Sequence, residues 1–321
     1  MPARVCVVVI SYNSEATLAP CLEALGRQTF TDFHLLLIDN ASDQRPRSYL
    51  PALPYPHTFA DMEQNLGFAG GMAVAIDKTD SALVAALNPD AFAEPTWLAE
   101  LVAAADRHPD VAAFGSLQRS AEDPTRIDGF GDHLLATGQA WRGQSPPADE
   151  QLAYSFGVCA AAALYRVDAV RSVGSFDRSF FCFYEDVDLS FRLRLAGYHC
   201  AVAPRAVVTH VGGASFKTRG ALMQFLIGRN QWWVLLKNMP PVLLPLSIPG
   251  FIAVELLAAL RGHRPGSLRG LWDGIRRSGE VLTERRRVQA ARKISIAGLC
   301  RWLTWNPLAF LRKASPVRRS P

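Results

Sequence analysis

The residues from Ser11 to Leu18 include no Lys, Arg or Gly, so the chain lacks the basic, glycine-rich loop with which many α/β proteins grip a triphosphate near their N-terminus. A dinucleotide fingerprint is missing too. Asn65-Leu66-Gly67-Phe68-Ala69-Gly70-Gly71 is rich in glycine but lacks the GxGxxG spacing and follows no clear strand. It reads instead as a glycine-rich helix start that lets backbone approach a ligand. The six cysteines (Cys6, Cys21, Cys159, Cys182, Cys200, Cys300) form no CxxC pair and no metal-ligand spacing, which points to a reducing compartment with cysteine used as a small apolar residue. No secretory leader is expected, because the apolar run Val5–Ile10 is short and leads straight into polar Ser11-Tyr12-Asn13. Internal repeats are absent. With 49% hydrophobic residues the 321-residue chain has the composition of neither a polytopic membrane protein nor a disordered one. Acidic residues are scarce only at the end: residues 261–321 hold 15 basic and 3 acidic side chains, a net +12, against −7 for residues 1–260.

What is present alternates. Val5–Ile10 is a continuous apolar run, as expected of a strand buried on both faces of a parallel sheet, Phe33–Ile38 is expected to be a second buried strand, and Leu18, Leu22 and Leu25 mark a helix face between them. Gly70-Gly71 is expected to open a helix through Lys78, Leu83–Leu87 to form a third strand, Trp97–Ala105 a helix and Val111–Gly115 a further strand. Ser155–Arg166 and Ala201–His210 resume strand-like character. The stretch of about 116–152 is polar and rich in Gly and Pro, and reads as a functional loop or β-ribbon excursion. This is an α/β pattern with polar residues at the C-terminal ends of strands, where such folds bind ligands. The expected division is a catalytic domain over 1–225 and a helical apolar and basic extension over 226–321.

Chemistry concentrates in Phe180-Phe181-Cys182-Phe183-Tyr184-Glu185-Asp186-Val187-Asp188-Leu189. A helix is expected after the aromatic run. Leu189 and Leu193 fall one turn apart, Asp188 can pair with Arg192 at i+4, and Gly197 supplies the stop. Glu185 and Asp186 then sit at a helix N-terminus, where the macrodipole favours carboxylates, and an acid beside an aromatic wall can serve as a general base. Four further polar sites follow apolar strands: Ser11-Tyr12-Asn13, Asp39-Asn40, Asn88-Pro89-Asp90 and Thr209-His210. A nucleotide sugar needs such a set, with Asp39 for base or ribose, Asp90 as a hard oxygen ligand for Mg²⁺ or Mn²⁺, and His210 completing the metal shell.

These segments together resemble the family 2 glycosyltransferases, inverting enzymes of the GT-A fold, and within them the rhamnosyltransferase-like branch of bacterial cell-surface polysaccharide assembly. The resemblance rests on Val9-Ile10-Ser11-Tyr12-Asn13, Ile38 through Asp43, Asn65 through Gly71, Leu87-Asn88-Pro89-Asp90, Phe183 through Leu189, His210-Val211-Gly212-Gly213, and Arg229-Asn230 with Leu235 through Asn238. It covers about residues 4–238. It implies a nucleotide-diphospho-sugar transferase fold in which Asp39 contacts the nucleobase. Ser11, Tyr12, Asn13, Asn65, Gly67, Gly70 and Asn88 would line the donor site. Asp90 stands where the family's DxD motif holds its last, metal-binding Asp, His210 is a second metal ligand, and Asp186 is the base, with Glu185 and Asp188 in structural or acceptor-orienting roles. The DxD itself is altered, since Asn88 and Pro89 fill its first two positions. Met72-Ala73 stands where relatives often carry Asn. The leading donor by resemblance is dTDP-rhamnose, with UDP-sugars next. A nucleotidyltransferase making the sugar nucleotide, or a catalytically silent membrane adaptor on the same fold, are the alternatives.

The end of the chain adds a location. From Met239 to Leu260 the only charge is Glu255, but Pro240, Pro241, Pro245, Pro249 and Gly250 are expected to break a regular helix. Interfacial or re-entrant helices on an anionic membrane are therefore favoured over a full crossing, with an apolar helix pair packed on the main domain as the competing reading. Nucleic acid is not an expected partner. The implied acceptor is a polyprenyl-linked saccharide, the implied place the cytoplasmic face of the bacterial inner membrane, and a chain ending near Lys237 is expected to become more soluble and still bind nucleotide, yet to lose transfer to a lipid-linked acceptor.

Overall fold

The computed structural model of the chain describes residues 2–212, 220–260 and 265–320. Gly213, and residues 261–264 at the start of the basic stretch, lie outside the described residues. The central strands follow the apolar runs: β1 (Val5–Ser11), with every residue buried, β2 (Phe33–Asp39), β3 (His57–Asp61) and β4 (Leu83–Leu87). β1 lies between β2 and β4, parallel to both, and β3 is parallel to β2. The sheet continues through β5 (Ala91–Ala93), β6 (Val111–Ser120), β7 (Ile127–Gly129), β10 (Ala153–Ser155), β11 (Ala162–Arg166) and β12 (His199–His210). Its main path runs β10-β12-β6-β11-β4-β1-β2-β3, with β11 antiparallel to both its neighbours. A separate hairpin pairs β8 (Asp132–Leu134) with β9 (Ala140–Arg142).

Helices α1 (Glu15–Gly26) and α3 (Trp97–Arg107) cover one sheet face, with Leu18, Leu22, Trp97 and Leu101 buried against it. Helices α2 (Gly67–Lys78), α4 (Val167–Ser172) and α5 (Glu185–Leu195) contribute to the core on the other. Apolar runs with nowhere else to hide their side chains give this three-layer arrangement. A third core joins α5 to the C-terminal helices α6 (Gly220–Asn238), α7 (Leu244–Leu260), α8 (Pro265–Arg276), α9 (Ser278–Ala290) and α10 (Ile296–Trp302); a short α11 (Pro307–Leu311) follows. Phe180, Val187 and Phe191 are buried there with Trp233, Met239, Phe251, Leu271, Val281, Val288 and Leu299.

Four expectations change. The glycine-rich helix opens at Gly67, three residues before Gly70. Ser155–Arg166 is not one strand, because Phe156–Ala161 leave the sheet between β10 and β11. The proline-interrupted segment is a continuous helix: Pro241 begins a 3-10 turn, Pro245 sits in the first turn of α7, where N–H groups have no intrahelical partner anyway, and only Pro249 removes an interior hydrogen bond. Finally, cutting the chain near Lys237 would strip Met239, Phe251, Leu271, Val281 and Val288 from the third core, leaving its partners exposed. Pro241–Leu260 is long and apolar enough to cross a membrane. Yet α7 is pinned by one face, with Ser247 Oγ donating to the Ala136 carbonyl at 2.7 Å and Phe251 fully buried, while Val242, Leu246, Leu256, Leu257 and Leu260 are exposed.

Candidate active site

β5 brings the first pair together. Its antiparallel pairing sets Ala91 opposite His210, so Asp90, one residue earlier, lies beside the end of β12. His210 Nε2 comes 3.5 Å from Asp90 Oδ1, and its Nδ1 lies 2.9 Å from Asp128 Oδ2. Asp128 in turn accepts from Arg142 Nη1 at 3.1 Å. Burial opposes the charged ring of His210, but the hydrogen bonds to Asp128 and Asp90 outweigh it and raise its pKa. Burial likewise opposes the Asp128 carboxylate, yet His210 and Arg142 bring its pKa down to about 2. An imidazole whose far nitrogen rests on a carboxylate is the arrangement that orients a metal-binding histidine. One hard oxygen and one imidazole nitrogen suit Mg²⁺ or Mn²⁺ whose other positions are filled by water and a diphosphate. Among the described residues no group of three or more His, Cys, Asp or Glu side chains gathers to hold a cation alone.

The carboxylates of α5 are placed by strained backbone. Phe181, Phe183 and Tyr184 all have φ between 64° and 67°, the left-handed region that costs a non-glycine residue about 1–3 kcal/mol. Two outside elements hold that turn. Gly67 approaches so closely that a Cβ there would lie 2.1 Å from the Phe181 carbonyl oxygen, which accepts from Ala69 N at 3.0 Å. The close backbone approach expected of this segment is thus made to the protein's own loop; Gly67 also borders the cavity, whereas Gly70 packs on Leu66. From α6, the buried Asn230 donates its amide to the carbonyls of Phe180 (3.0 Å), Cys182 (2.9 Å) and Phe183 (2.7 Å), and Arg229 reaches those of Ser179 and Phe180. Replacing Asn230 by Ala should cost at least about 2 kcal/mol in urea unfolding, because buried carbonyls lose their donor, and should slow turnover as the turn relaxes. An unchanged unfolding midpoint would show that the turn holds itself.

The product is one cavity of about 490 Å³. Its walls include Tyr12, Asn65, Gly67, Asn88, Asp90, Glu185, Asp186 and His210 from the expected set, with the expected aromatic wall of Phe181, Phe183 and Tyr184. Asp186 accepts from Ala160 N at 3.1 Å and Val187 N at 2.8 Å, so its carboxylate is fixed at the helix start. Burial is the main cause raising the pKa of Asp186 and, well above the ordinary range, of Glu185.

Other expected residues do not line the cavity. Ser11 and Gly70 are buried, and Asn13 bonds Asp43. Asp39, paired with Ser11 in the register of β1 and β2, accepts from Ser42 N and from the Arg45 guanidinium. Asp188 is fully buried and its oxygens are taken by Arg192 (2.8 Å), Lys237 (3.1 Å) and Asn238 (2.8 Å), which locks α5 to α6. The i+4 pair with Arg192 and the stop at Gly197, with φ 91°, are as expected.

Sequence reasoning missed the contribution of the excursion. Asp128, Asp132, Trp141 and Arg142, from β7, β8 and β9, all line the cavity. Asp132 and Arg142 face each other across the hairpin. Burial, then the charge of Asp186, pushes the Asp132 carboxyl up to about 7. The only available signal was charged residues set among Gly129, Gly131, Gly138 and Gly143 in a stretch without periodicity.

A mostly parallel sheet with helices on both faces, a C-terminal helical region and acidic residues gathered at strand ends defines an enzyme of the GT-A fold. The chain belongs to glycosyl transferase family 2, which matches residues 6–174. It is 28% identical over 204 residues to galactofuranosyltransferase GlfT1 of Mycolicibacterium smegmatis, covering 60% of this chain and 66% of that protein. It is 28% identical over 239 residues to the N-acetylglucosaminyl-diphospho-decaprenol L-rhamnosyltransferase of Mycobacterium tuberculosis, covering 64% of this chain and 75% of that one. Among solved structures, the mannosyltransferase PcManGT of Pyrobaculum calidifontis, in complex with GDP-Man and Mn²⁺, shares the fold with a TM-score of 0.51 at 17% identity, over 90% of this chain and 85% of that one.

Proposed function

We propose that the chain transfers a sugar, with inversion, from a nucleoside-diphosphate donor to a lipid-linked saccharide acceptor during assembly of a cell-wall or surface polysaccharide. The observation that carries this reading is one cavity that holds both Asp186, fixed by two backbone N–H groups, and the Asp90–His210 pair. Asp186 takes the acceptor hydroxyl proton as that oxygen attacks the anomeric carbon, whose transition state has oxocarbenium character. Asp90 and His210 would hold Mg²⁺ or Mn²⁺, which supplies a Lewis acid and charge neutralisation for the departing diphosphate. Asp128 orients the His210 ring, and Arg142 holds Asp128. Tyr12, Asn65 and Asn88 border the donor, and Asp39, at the same sheet edge, reads base or ribose. The aromatic wall of Phe181, Phe183, Tyr184 and Trp141 excludes water from the reacting centre.

A rhamnosyl donor, dTDP-rhamnose, remains the leading choice, and the resemblance to a rhamnosyltransferase acting on a decaprenol diphosphate supports it together with a polyprenyl-linked acceptor. Similarity to a galactofuranosyltransferase supports a galactofuranosyl donor as the second reading. Membership of the glycosyltransferase family leaves the nucleotidyltransferase alternative without support, and an intact set of Asp90, Asp186 and His210 speaks against a silent adaptor. The place of action would be the cytoplasmic face of the inner membrane. Transfer of labelled rhamnose or galactofuranose to a polyprenyl-diphosphate disaccharide tests the reading, and failure with both, in the presence of Mn²⁺, would end it.

The acid limb of the rate profile gives a further check. A general base works only when ionised, so activity falls as pH drops through its pKa. Three buried carboxyls, Asp132, Glu185 and Asp186, share one region and their pKa values are all raised. The limb should therefore lie at higher pH than the ordinary carboxylate value near 4. Asp132→Asn removes one competing charge and should move the limb to lower pH. A wild-type profile flat down to about pH 5 would contradict the raised pKa of the base.

A further inference from the structure

Helix α8 is built inside out. A helix on the surface of a soluble fold normally buries its large apolar side chains and turns small or polar ones to water. Here the face toward the protein is largely glycine. Gly270 lies so close to α6 that a Cβ on it would sit 1.9 Å from the Phe225 carbonyl oxygen, and Gly266 and Gly274 pack beside Gln224 and Arg229 of the same helix. Backbone approaches backbone, and only Leu271 among the large apolar residues of α8 is buried. The outward face carries Leu268, Trp272 and Ile275, at i, i+4 and i+7, exposed to 37%, 68% and 38%. Arg269 and Arg276 are exposed on the same helix. Apolar residues around an outward tryptophan, flanked by arginines, are the composition of a helix lying in the plane of a membrane interface.

The packing also says where such a surface would sit. The contacts of Gly266, Gly270 and Gly274 advance along α6 from Ala221 and Gln224 to Arg229, so the two helices run parallel. The first turn of α8 is therefore beside the first turn of α6. That turn supplies Leu222 and Met223 to the cavity wall, with Ile227 one turn on, and Leu222 is also exposed.

We propose that the outward face of α8 seats the protein on an anionic lipid bilayer, with the apolar rim of the cavity, Leu222 and Met223, turned to the membrane from which the acceptor arrives. The occupant is lipid rather than a second copy of the chain because positive charge dominates the face and its surroundings: α8 sets Arg269 and Arg276 against one Asp273, and residues 261–321 have a net +12, which attracts anionic headgroups and repels an identical surface. The purpose of this seat rests on the lipid-linked acceptor proposed above, but its existence is read without any transfer reaction.

The test uses the full-length chain and vesicles of phosphatidylcholine with or without phosphatidylglycerol. Vesicles with brominated acyl chains should quench tryptophan emission, and Trp272→Phe should lose a clear part of that quenching while binding and secondary structure persist. Arg269→Glu combined with Arg276→Glu should weaken binding to phosphatidylglycerol vesicles by about tenfold or more, since each basic side chain at such a surface is worth about 1 kcal/mol. Identical quenching in wild type and Trp272→Phe would overturn the proposal, showing that another segment such as α7 makes the lipid contact. So would a concentration-dependent dimer in lipid-free solution that Trp272→Gln dissolves, which would assign the face to a second copy. Failure of the intact chain to bind either vesicle also overturns it, and leaves the assignment of the cavity standing.

Discussion

Asp186→Asn should lower turnover by about a thousandfold or more while leaving the affinity for the donor within a few-fold of wild type. Substitution removes basicity and little else. The Asn side chain keeps the shape and one carbonyl oxygen, so it still accepts from one of the two backbone N–H groups, Ala160 or Val187, that hold the carboxylate. The other N–H then faces an amide, costing roughly 1–3 kcal/mol of stability, which an unfolding curve separates from the kinetic loss. Single-turnover rates and donor affinity by calorimetry make the comparison. Near-normal turnover in the Asn variant would move the base elsewhere. Glu185 is next, since it lines the same cavity, whereas Asp188 is spent on Arg192, Lys237 and Asn238.

Removal of divalent cations should have an effect of similar size. A chelator should abolish transfer, and Mg²⁺ or Mn²⁺ should restore it, because a diphosphate leaving group needs its charge neutralised. Asp90→Ala and His210→Ala should each raise the cation concentration needed for half-maximal rate. Asp128→Asn should do so to a smaller degree, on the order of tenfold to a hundredfold, since Asp128 only backs the imidazole. Nucleotide affinity measured with and without cation gives an independent readout. If Asp90 and His210 are the two protein ligands, cation and nucleoside diphosphate should bind together far more tightly than either alone. Full activity in chelator would refute the site as drawn.

Local physics explains which features were legible in the sequence. β4 and all but the last residue of β1 are unbroken apolar runs, and only a strand with both faces covered can use them. α5 announced itself by an i+4 ion pair, acidic first-turn residues and a terminal glycine, all of them interactions within a few residues. Asp90 and His210 were legible as strand-end residues, but their meeting depends on the antiparallel pairing of β5 with β12. The rest lies in contacts between distant segments. The aromatic residues around Cys182 give no warning that Phe181, Phe183 and Tyr184 adopt left-handed backbone, because that strain is supported by Gly67 and by Asn230 from helices elsewhere in the chain. Asp132 and Arg142 were hidden in a stretch where a three-residue hairpin leaves too short a pattern to read. α7 was misjudged by counting prolines without their positions, since only Pro249 falls where a hydrogen bond is lost. The expected gain in solubility on ending the chain near Lys237 weighed charge and left out the burial of Met239, Phe251, Leu271, Val281 and Val288.

The central claim, that this cavity is a metal-assisted inverting sugar-transfer site, meets its most direct test in one assay of the purified full-length chain with Mn²⁺, a panel of nucleoside-diphosphate sugars and a polyprenyl-diphosphate disaccharide. The measurement is the nucleoside diphosphate released, with the anomeric configuration of the product read by NMR. The predicted result is acceptor-dependent release from one donor, with dTDP-rhamnose first in line, and a product of inverted configuration. A product that retains the donor's configuration, or no acceptor-dependent release from any donor, would contradict it.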